Sequence, residues 1–195
     1  MARITGLSPK TRRPLTRLSF FMAKRQFAGR TPEPMLVAAR HPQIYRSIVG
    51  MEMGLMRAGK VDAKLKELCA IKAAALAGCE FCIDIGSFLG AQHGVTEAQL
   101  LDLPRYRESE HFDEVERLVL DLAVGMTVTP VDVSEELIAA LKEHFTDEQI
   151  IELVGNIAVE QHRARFNWAL GLGSEGFTEG AVCARPEVPE VASAR

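Results

Sequence analysis

The sequence contains no apolar stretch long enough to cross a membrane, because charged residues and glycines interrupt every candidate before the roughly 20 residues that a spanning helix needs. It also lacks a recognisable secretory signal, and its four cysteines do not form the dense pattern of a disulfide framework. These absences predict a globular protein of the reducing cytoplasm. In that compartment, closely paired cysteines indicate chemistry more often than structure.

Alternating polar and apolar residues flanked by hairpin turns are also missing, so we expect almost no β-strand. Helical periodicity is frequent instead. Apolar residues recur three or four positions apart between Ser109 and Thr127, and capping boxes begin helices at Thr96 and Thr146. The sequence therefore predicts an all-α fold around one sizeable core. The longer predicted helices cover 63–77, 79–93, 109–127, 134–145 and 146–171.

Acidic residues are almost absent from the first part of the chain. Residues 1–46 contain ten Lys or Arg and one acid, Glu33, so the remainder is strongly acidic. Such a segment, amphipathic over 14–27, is typical of an organelle transit peptide or of a contact with anionic partners. We favour a first helix whose apolar side packs on the acidic body of its own or a neighbouring subunit, with neither nucleic acid nor membrane as a partner. That side consists of Leu15, Leu18, Phe21, Met22 and Phe27.

Two cysteines three residues apart stand where one helix is predicted to end and the next to begin. Gly78 ends the helix over 63–77, and Cys79 and Cys82 fall in the first turn of the following helix. There, unpaired backbone N–H groups and the positive end of the helix dipole favour the thiolate, which is the reactive form of cysteine. The spacing also lets the two sulfurs close into a disulfide with little backbone change. The pair therefore indicates a reversible dithiol site.

Two other roles remain open for this pair. Half of a zinc site would need two further ligands, but Cys69 and Cys183 are isolated, and the sequence has neither HxxxH nor a second CxxC. Two small buried cysteines without any chemistry are the other possibility. We expect no metal and no bound organic cofactor.

A carboxylate on the preceding helix is the predicted partner of the thiols. Glu67 shares a helix face with Ile71 and Ala74, and such a sheltered position raises the pKa of a carboxyl group. Glu67 can then take a proton from a thiol or from an intervening water, as a general base does. The alternative is a surface carboxylate that pairs with a neighbouring lysine.

The segment KELCAIKAAALAGCEFCIDIGSFLGAQHGVTEAQLLDL, which contains these residues, resembles the core of the carboxymuconolactone decarboxylase and alkylhydroperoxidase D-like (AhpD-like) family. That core has a glutamate twelve residues before a CxxC, and Glu67 and Cys79 reproduce the spacing. A later segment, ALKEHFTDEQIIELVGNIAVEQHRARFNWALGL, resembles the closing helix of the family. Together the resemblance covers roughly residues 33–172.

The resemblance implies an AhpD-like helical fold of about seven to nine helices that assembles as a homo-oligomer. It also implies a peroxidase reaction in which Cys82 attacks a small peroxide and becomes a sulfenic acid. Cys79 then resolves that acid as a disulfide, and an external dithiol reductant restores the pair. Glu67 would belong to the proton relay.

The sequence departs from the family pattern at one position. Peroxidase members carry a histidine four residues after the second cysteine, and here that position is Gly86, which predicts a close approach of another helix instead. His93 lies about 16 Å beyond Cys82 along the same helix, too far to replace the missing imidazole. His162 reaches the site only if the closing helix crosses near the CxxC, and we favour a surface position for it. Asp84 is predicted to point away from the pair, toward solvent or an interface.

The closing helix carries a polar stripe. One interpretation is a solvated face, and the other is a lining of the active-site cleft or of a subunit interface, in which Glu160 or another acid holds Arg163. Trp168 is expected in the core or in an interface. The stripe consists of Asn156, Glu160, Arg163 and Asn167.

The predicted organisation has three parts: a basic arm and first helix over 1–32, the AhpD-like helical domain over 33–172, and a flexible tail over 173–195. The predicted function is a thiol-dependent peroxidase or thiol-disulfide oxidoreductase. A decarboxylase of the same family is one alternative, although those enzymes do without a CxxC. A helical assembly module with vestigial cysteines is the other alternative, and the missing histidine is its main support.

Overall fold

The structure, a computed structural model, describes residues 2–187. Within this range the chain forms nine α-helices and one short 3-10 helix and contains no β-strand, so the predicted all-α class is confirmed. None of the helices in this part of the chain is long and apolar enough to span a membrane. The helices are α1 (Pro14–Gln26), α2 (Glu33–Ala38), α3 (Pro42–Arg57), α4 (Ala63–Ala77), α5 (Glu80–Gln92), α6 (Glu97–Asp102), α7 (Glu114–Thr127), α8 (Glu135–His144) and α9 (Asp147–Leu170), and the 3-10 helix is Leu103–Arg105.

Most helix starts follow from local capping chemistry. The capping boxes predicted at Thr96 and Thr146 are both formed, with Gln99 and Gln149 as the reciprocal partners. The helix predicted from Ser109 begins later, at Glu114. Asp113 accepts the backbone N–H of Glu116 while the Glu116 carboxylate accepts that of Asp113, and this reciprocal cap sets the start of α7.

Helix α4 forms the centre of the fold, with α5, α7 and α9 packed around it. Eight consecutive residues, 68–75, are buried, so this helix is covered on every side rather than along one stripe. Four of them are alanines, whose small side chains let the neighbouring helices approach closely. Full burial of Leu68 or Ile71 contributes about 1.5–3 kcal/mol each to stability.

The contact between α4 and α5 explains two glycines. A β-carbon at Gly86 would lie 3.1 Å from Cγ1 of Ile71, and one at Gly90 would lie 2.9 Å from its Cδ1. The close helix approach predicted for Gly86 is therefore confirmed.

Helix α1 packs on the rest of the chain through a different face from the predicted one. Phe20 and Ala23 are buried, and the Phe20 ring meets that of Tyr45 in α3 edge to face. The apolar side that was expected to pack points outward instead. The homo-oligomer in which a neighbouring subunit would cover that side stays a prediction. Its exposed members are Leu15, Leu18, Phe21 and Met22.

The segment after α9 follows an extended path along the body. Gly171, in the left-handed conformation, ends α9, and residues 173–187 then run beside α5. Phe177 packs against the rings of Phe27, Phe81 and Phe88, and Glu187 forms an ion pair with the buried Lys72 at 2.5 Å. This arrangement differs from the predicted flexible tail for residues 173–187, and the rest of that prediction, 188–195, lies outside the described residues.

Candidate active site

The two cysteines of the CxxC are joined by a disulfide at the turn between α4 and α5. Gly78 adopts the left-handed conformation that ends α4, and Cys79 is the N-cap of α5. The Cys79 sulfur accepts the backbone N–H of Cys82 at 3.3 Å. The predicted closure of this pair is thus present, and the N–H donor at the helix start is directed at Cys79.

Both sulfur-bearing residues are shielded. Cys79 is 2% exposed and Cys82 is 4% exposed, within an apolar cluster that includes Phe81 and Phe177. A small reagent fits this setting better than a bulky one, because any partner must reach the sulfurs past the residues that cover them.

Helix α9 supplies a polar contact to the pair. The Asn167 side-chain nitrogen lies 3.4 Å from the sulfur of Cys82 and 3.8 Å from that of Cys79, and Asn167 is 3% exposed. The neighbouring Trp168 donates its indole N–H to the Ala77 carbonyl oxygen at 3.0 Å. The end of α9 therefore crosses the start of α5, and the side chain that it brings there is an amide.

Neither His162 nor Trp168 of α9 contacts the sulfurs, and His162 is exposed, as its favoured surface position predicts. His162 stacks on Phe166 of its own helix, with ring centroids 6.1 Å apart. Trp168 lies over the turn at Gly78 but remains 59% exposed in the single chain, so it is not a core residue.

Glu67 lies at the other end of the α4–α5 hairpin. Its carboxylate contacts Nδ1 of His93 at 3.2 Å, and His93 follows Cys82 by eleven residues, about 16 Å along the helix axis. Burial raises the pKa of Glu67, as predicted for a sheltered carboxyl, although His93 opposes the shift. The structure does not bring Glu67 together with the sulfurs, so its role as their base stays a prediction without a contact to support it.

The polar stripe of α9 faces the protein interior along most of its length. Asn156 donates to the Lys66 carbonyl oxygen at 2.8 Å, and Arg163 binds Glu160 at 2.8 Å and both oxygens of Glu52 at 2.6–2.8 Å. The prediction that Glu160 or another acid holds Arg163 is confirmed, and the solvated face is wrong. Glu160 is 5% exposed, and burial raises its pKa to about 7 although Arg163 acts in the opposite direction.

Asp84 corrects another expectation. It was predicted to face solvent or an interface, but it is 2% exposed and lies beneath the C-terminal segment. Burial alone would raise its pKa, yet hydrogen bonds from Phe177 and Thr178 outweigh that effect and hold the pKa below its usual value. No local pattern signals this contact, because the donors come about ninety residues later, in an apparent tail. The five donors are the backbone N–H groups of Glu175, Phe177 and Thr178 and the hydroxyls of Ser174 and Thr178.

The remaining cysteines lie apart from the pair. Cys69 is in the middle of α4, where burial raises its pKa to about 12. Cys183, in the C-terminal segment, lies 3.6 Å from the Ser87 hydroxyl. Across residues 2–187, no group of three or more His, Cys, Asp or Glu side chains is placed to hold a metal ion.

Comparisons with known proteins bear on this arrangement. Residues 42–125 match the sequence model of the carboxymuconolactone decarboxylase family. The uncharacterized protein YnjA of Escherichia coli K12 is 30% identical over 184 residues, which cover 93% of this chain and 98% of YnjA. The chain belongs to the carboxymuconolactone decarboxylase family. The predicted membership is therefore confirmed.

Solved structures show the same fold at lower identity. The debrominase Bmp8 superposes with a TM-score of 0.79 at 21% identity, over 89% of this chain and 92% of Bmp8. A peroxidase-related protein from Ralstonia eutropha JMP134, described as an alkylhydroperoxidase AhpD core, gives a TM-score of 0.79 at 19% identity, over 90% and 94% of the two chains. This member of the carboxymuconolactone decarboxylase family thus has the AhpD-like helical fold.

Proposed function

We propose that this family member is a thiol-dependent peroxidase that cycles Cys79 and Cys82 between a dithiol and a disulfide. The observation that carries the proposal is the disulfide at the start of α5, with a backbone N–H on one sulfur and a side-chain amide on the other. Donors of this kind stabilise thiolates, and a thiolate is the form that attacks a peroxide.

In the first step, the Cys82 thiolate attacks the terminal oxygen of a hydroperoxide. The oxygen–oxygen bond breaks, Cys82 becomes a sulfenic acid, and the alcohol or water leaves after taking up one proton. In the second step, the Cys79 thiolate attacks the Cys82 sulfur, the disulfide forms, and hydroxide leaves and is protonated to water. An external dithiol then reduces the disulfide by thiol exchange and is itself oxidised.

The two sulfurs receive different roles from their contacts. Cys79 caps the helix and accepts the N–H of Cys82, which suits a thiol that leaves readily when the external dithiol attacks the disulfide. Cys82 contacts Asn167, which favours it as the attacking thiolate. The helix end alone is insufficient, because lowering a thiol pKa also lowers its nucleophilicity.

Glu67, the predicted base, has no step in the proposed cycle. Its raised pKa fits that role, whereas its contact with His93 does not, since a base must come within hydrogen-bond reach of the proton or be linked to it by one water. The Glu67→Gln variant separates a base from a structural partner of His93.

Peroxide consumption by the full chain, with an excess of a small dithiol as reductant, tests the proposal. We expect Cys82→Ser to abolish turnover and Cys79→Ser to slow it, because the external dithiol must then reduce the sulfenic acid directly, without the resolving thiol. Cys183→Ser is the matched control and should leave the rate unchanged. Turnover by Cys82→Ser at the wild-type rate would remove Cys82 from the reaction, and a wild-type protein that consumes no peroxide beyond the dithiol alone would remove the peroxidase function.

Reductive dehalogenation is a second candidate. A cysteine-to-alanine variant of the debrominase Bmp8, solved with 2,3,4-tribromopyrrole, superposes on this chain with a TM-score of 0.79 at 20% identity. A dithiol can supply the same two electrons here: one thiolate takes the bromine, the ring carbon gains a proton, and the second thiolate forms the disulfide and releases bromide. Bromide release from 2,3,4-tribromopyrrole, measured with the same variants, distinguishes this reaction from peroxide reduction.

A further inference from the structure

We propose that Asn167 is a catalytic residue that stabilises the Cys82 thiolate. Its side-chain N–H replaces the donor that the family histidine would supply at position 86, where this chain has glycine. The inference deepens the proposed function and rests on it for the reaction, although the effect on the thiol is measurable without any peroxide.

The contacts divide the available donors between the two sulfurs. The backbone N–H of Cys82 is directed at Cys79, so it does not serve the Cys82 sulfur. The Asn167 nitrogen carries two hydrogens and lies 3.4 Å from Cys82 and 3.8 Å from Cys79. One amide can therefore contact both sulfurs, with the shorter contact to Cys82.

Burial strengthens this contact. Asn167 and Cys82 are both nearly inaccessible to water, and in such surroundings a hydrogen bond to a charged acceptor is worth more than at the surface. Without a donor, a thiolate in this apolar cluster would be costly, because burial favours the neutral thiol.

The packing of α9 fixes the amide in place. Trp168 is held at the Ala77 carbonyl, and about three turns upstream Asn156 is held at the Lys66 carbonyl. These contacts set the register of α9 against α4. Asn167 thus contacts the sulfurs with little freedom to move away, which is the arrangement expected of a pre-organised donor.

The same packing leaves little room for an imidazole on α5. Any side chain at position 86 begins with a β-carbon only 3.1 Å from Ile71, so the close α4–α5 approach opposes a histidine there. An amide differs from an imidazole in one chemical respect, because it donates hydrogen bonds but takes up no proton. Asn167 therefore stabilises the Cys82 anion without itself accepting the thiol proton.

The test is a titration of Cys82 in the full chain with Cys79→Ser and Cys183→Ser, followed by thiolate absorbance and by the rate of alkylation with iodoacetamide. Cys69 does not interfere, because its pKa is about 12. We expect Asn167→Leu to reduce alkylation at neutral pH about tenfold through a higher Cys82 pKa. Asn167→Asp, which keeps the shape but places a carboxylate beside the thiolate, should reduce it at least as much.

Asn156→Leu is the matched control, because Asn156 is on the same helix and contacts a different cysteine, Cys69, at 3.5 Å. It should leave the Cys82 titration unchanged. If Asn167→Leu fails to fold, the smaller Asn167→Ala decides, because it removes the donor without adding a charge. A Cys82 pKa that stays at the wild-type value in a folded Asn167 variant overturns the inference, whereas a shifted pKa in a protein that consumes no peroxide supports Asn167 and removes only the peroxidase function.

Discussion

The two ends of the α4–α5 hairpin have opposite chemistry. At the turn, N–H donors meet the buried sulfurs of Cys79 and Cys82. At the far end, carboxylates gather: Glu67 contacts His93, and Glu160 shares Arg163 with Glu52 across α9 and α3. The first end stabilises anions, whereas burial at the second raises the pKa of Glu67 and of Glu160. About 16 Å along α5 separates the two.

The separation of the two ends explains why spacing in the sequence did not translate into contact. In an antiparallel hairpin, residues meet when they lie at similar distances on either side of the turn. Glu67 precedes Cys79 by twelve residues and His93 follows it by fourteen, so these two meet each other. Cys82 follows Cys79 by only three residues and stays near the turn. The twelve-residue spacing identified the family and did not place the glutamate beside the thiols.

The largest loss of stability is expected for a substitution of Asp84, which lies near the cysteine end of the hairpin. Asp84→Ala leaves five donors of the C-terminal segment without their acceptor, and we expect a loss of about 4 kcal/mol in the free energy of unfolding, measured with urea. Because the folded pKa of Asp84 is depressed, this stability is present above the ordinary value of 3.8 and is lost as the pH falls through the folded pKa.

Thr178→Val removes the hydroxyl donor while keeping the other contacts of Asp84, so it should cost only about 1 kcal/mol. Equal losses for the two variants would contradict the assignment of the carboxylate as the anchor of residues 174–178.

The next largest loss of stability is expected for a substitution of Gly86, midway along the hairpin. Gly86→His restores the family histidine but places a β-carbon 3.1 Å from Ile71, so it should lower the free energy of unfolding by about 2–3 kcal/mol and leave peroxide turnover no faster. Gly155→His on α9 is the control, because a β-carbon at Gly155 would face open space, with no neighbouring atom within 4 Å. A stable Gly86→His protein with faster turnover would show that the imidazole has room.

At the carboxylate end, Glu160 should make stability depend on pH. Its folded pKa of about 7 exceeds the ordinary value of 4.5, so the folded state keeps a proton that the unfolded state has lost. Relative to Glu160→Gln, stability should therefore fall by about 3 kcal/mol as the pH rises from 4.5 to about 7 and change no further above it. The variant Glu148→Gln, at an exposed position, keeps Glu160 and should follow the wild-type pH curve. Parallel pH curves for wild type and Glu160→Gln would refute the protonated carboxyl.

The smallest effect is expected for Glu67→Gln. Because the carboxylate contacts His93 and not a sulfur, the alkylation rate of Cys82 should change less than about twofold. Cys82 alkylation in the Cys79→Ser background measures this directly. A tenfold or larger loss would return Glu67 to the role of base and link the two ends of the hairpin.

Local chemistry allowed the helices and the cysteine pair to be predicted. Capping residues such as Thr96 and Thr146, and the glycine stop at Gly78, act within one or two turns, so they can be read from short segments. The closeness of Cys79 and Cys82 is equally local.

Contacts between distant segments could not be predicted from the sequence. Asn167 and Asn156 lie on the same stripe of α9 and have the same side chain. They have different partners because α9 crosses the CxxC at Asn167 and crosses α4 at Asn156. Asp84 becomes buried only because the chain returns across α5 about ninety residues later. Such placements depend on tertiary packing, which no local pattern encodes.

The decisive experiment is to locate the first product of peroxide attack. The reduced Cys79→Ser and Cys82→Ser proteins are each treated with one equivalent of hydrogen peroxide and a sulfenic-acid trap, and the labelled residue is identified by peptide mass spectrometry. We expect a label on Cys82 in the Cys79→Ser protein and none at Cys79 in the Cys82→Ser protein. A label on Cys79 alone, or on neither residue, would show that Cys82 is not the attacking thiol.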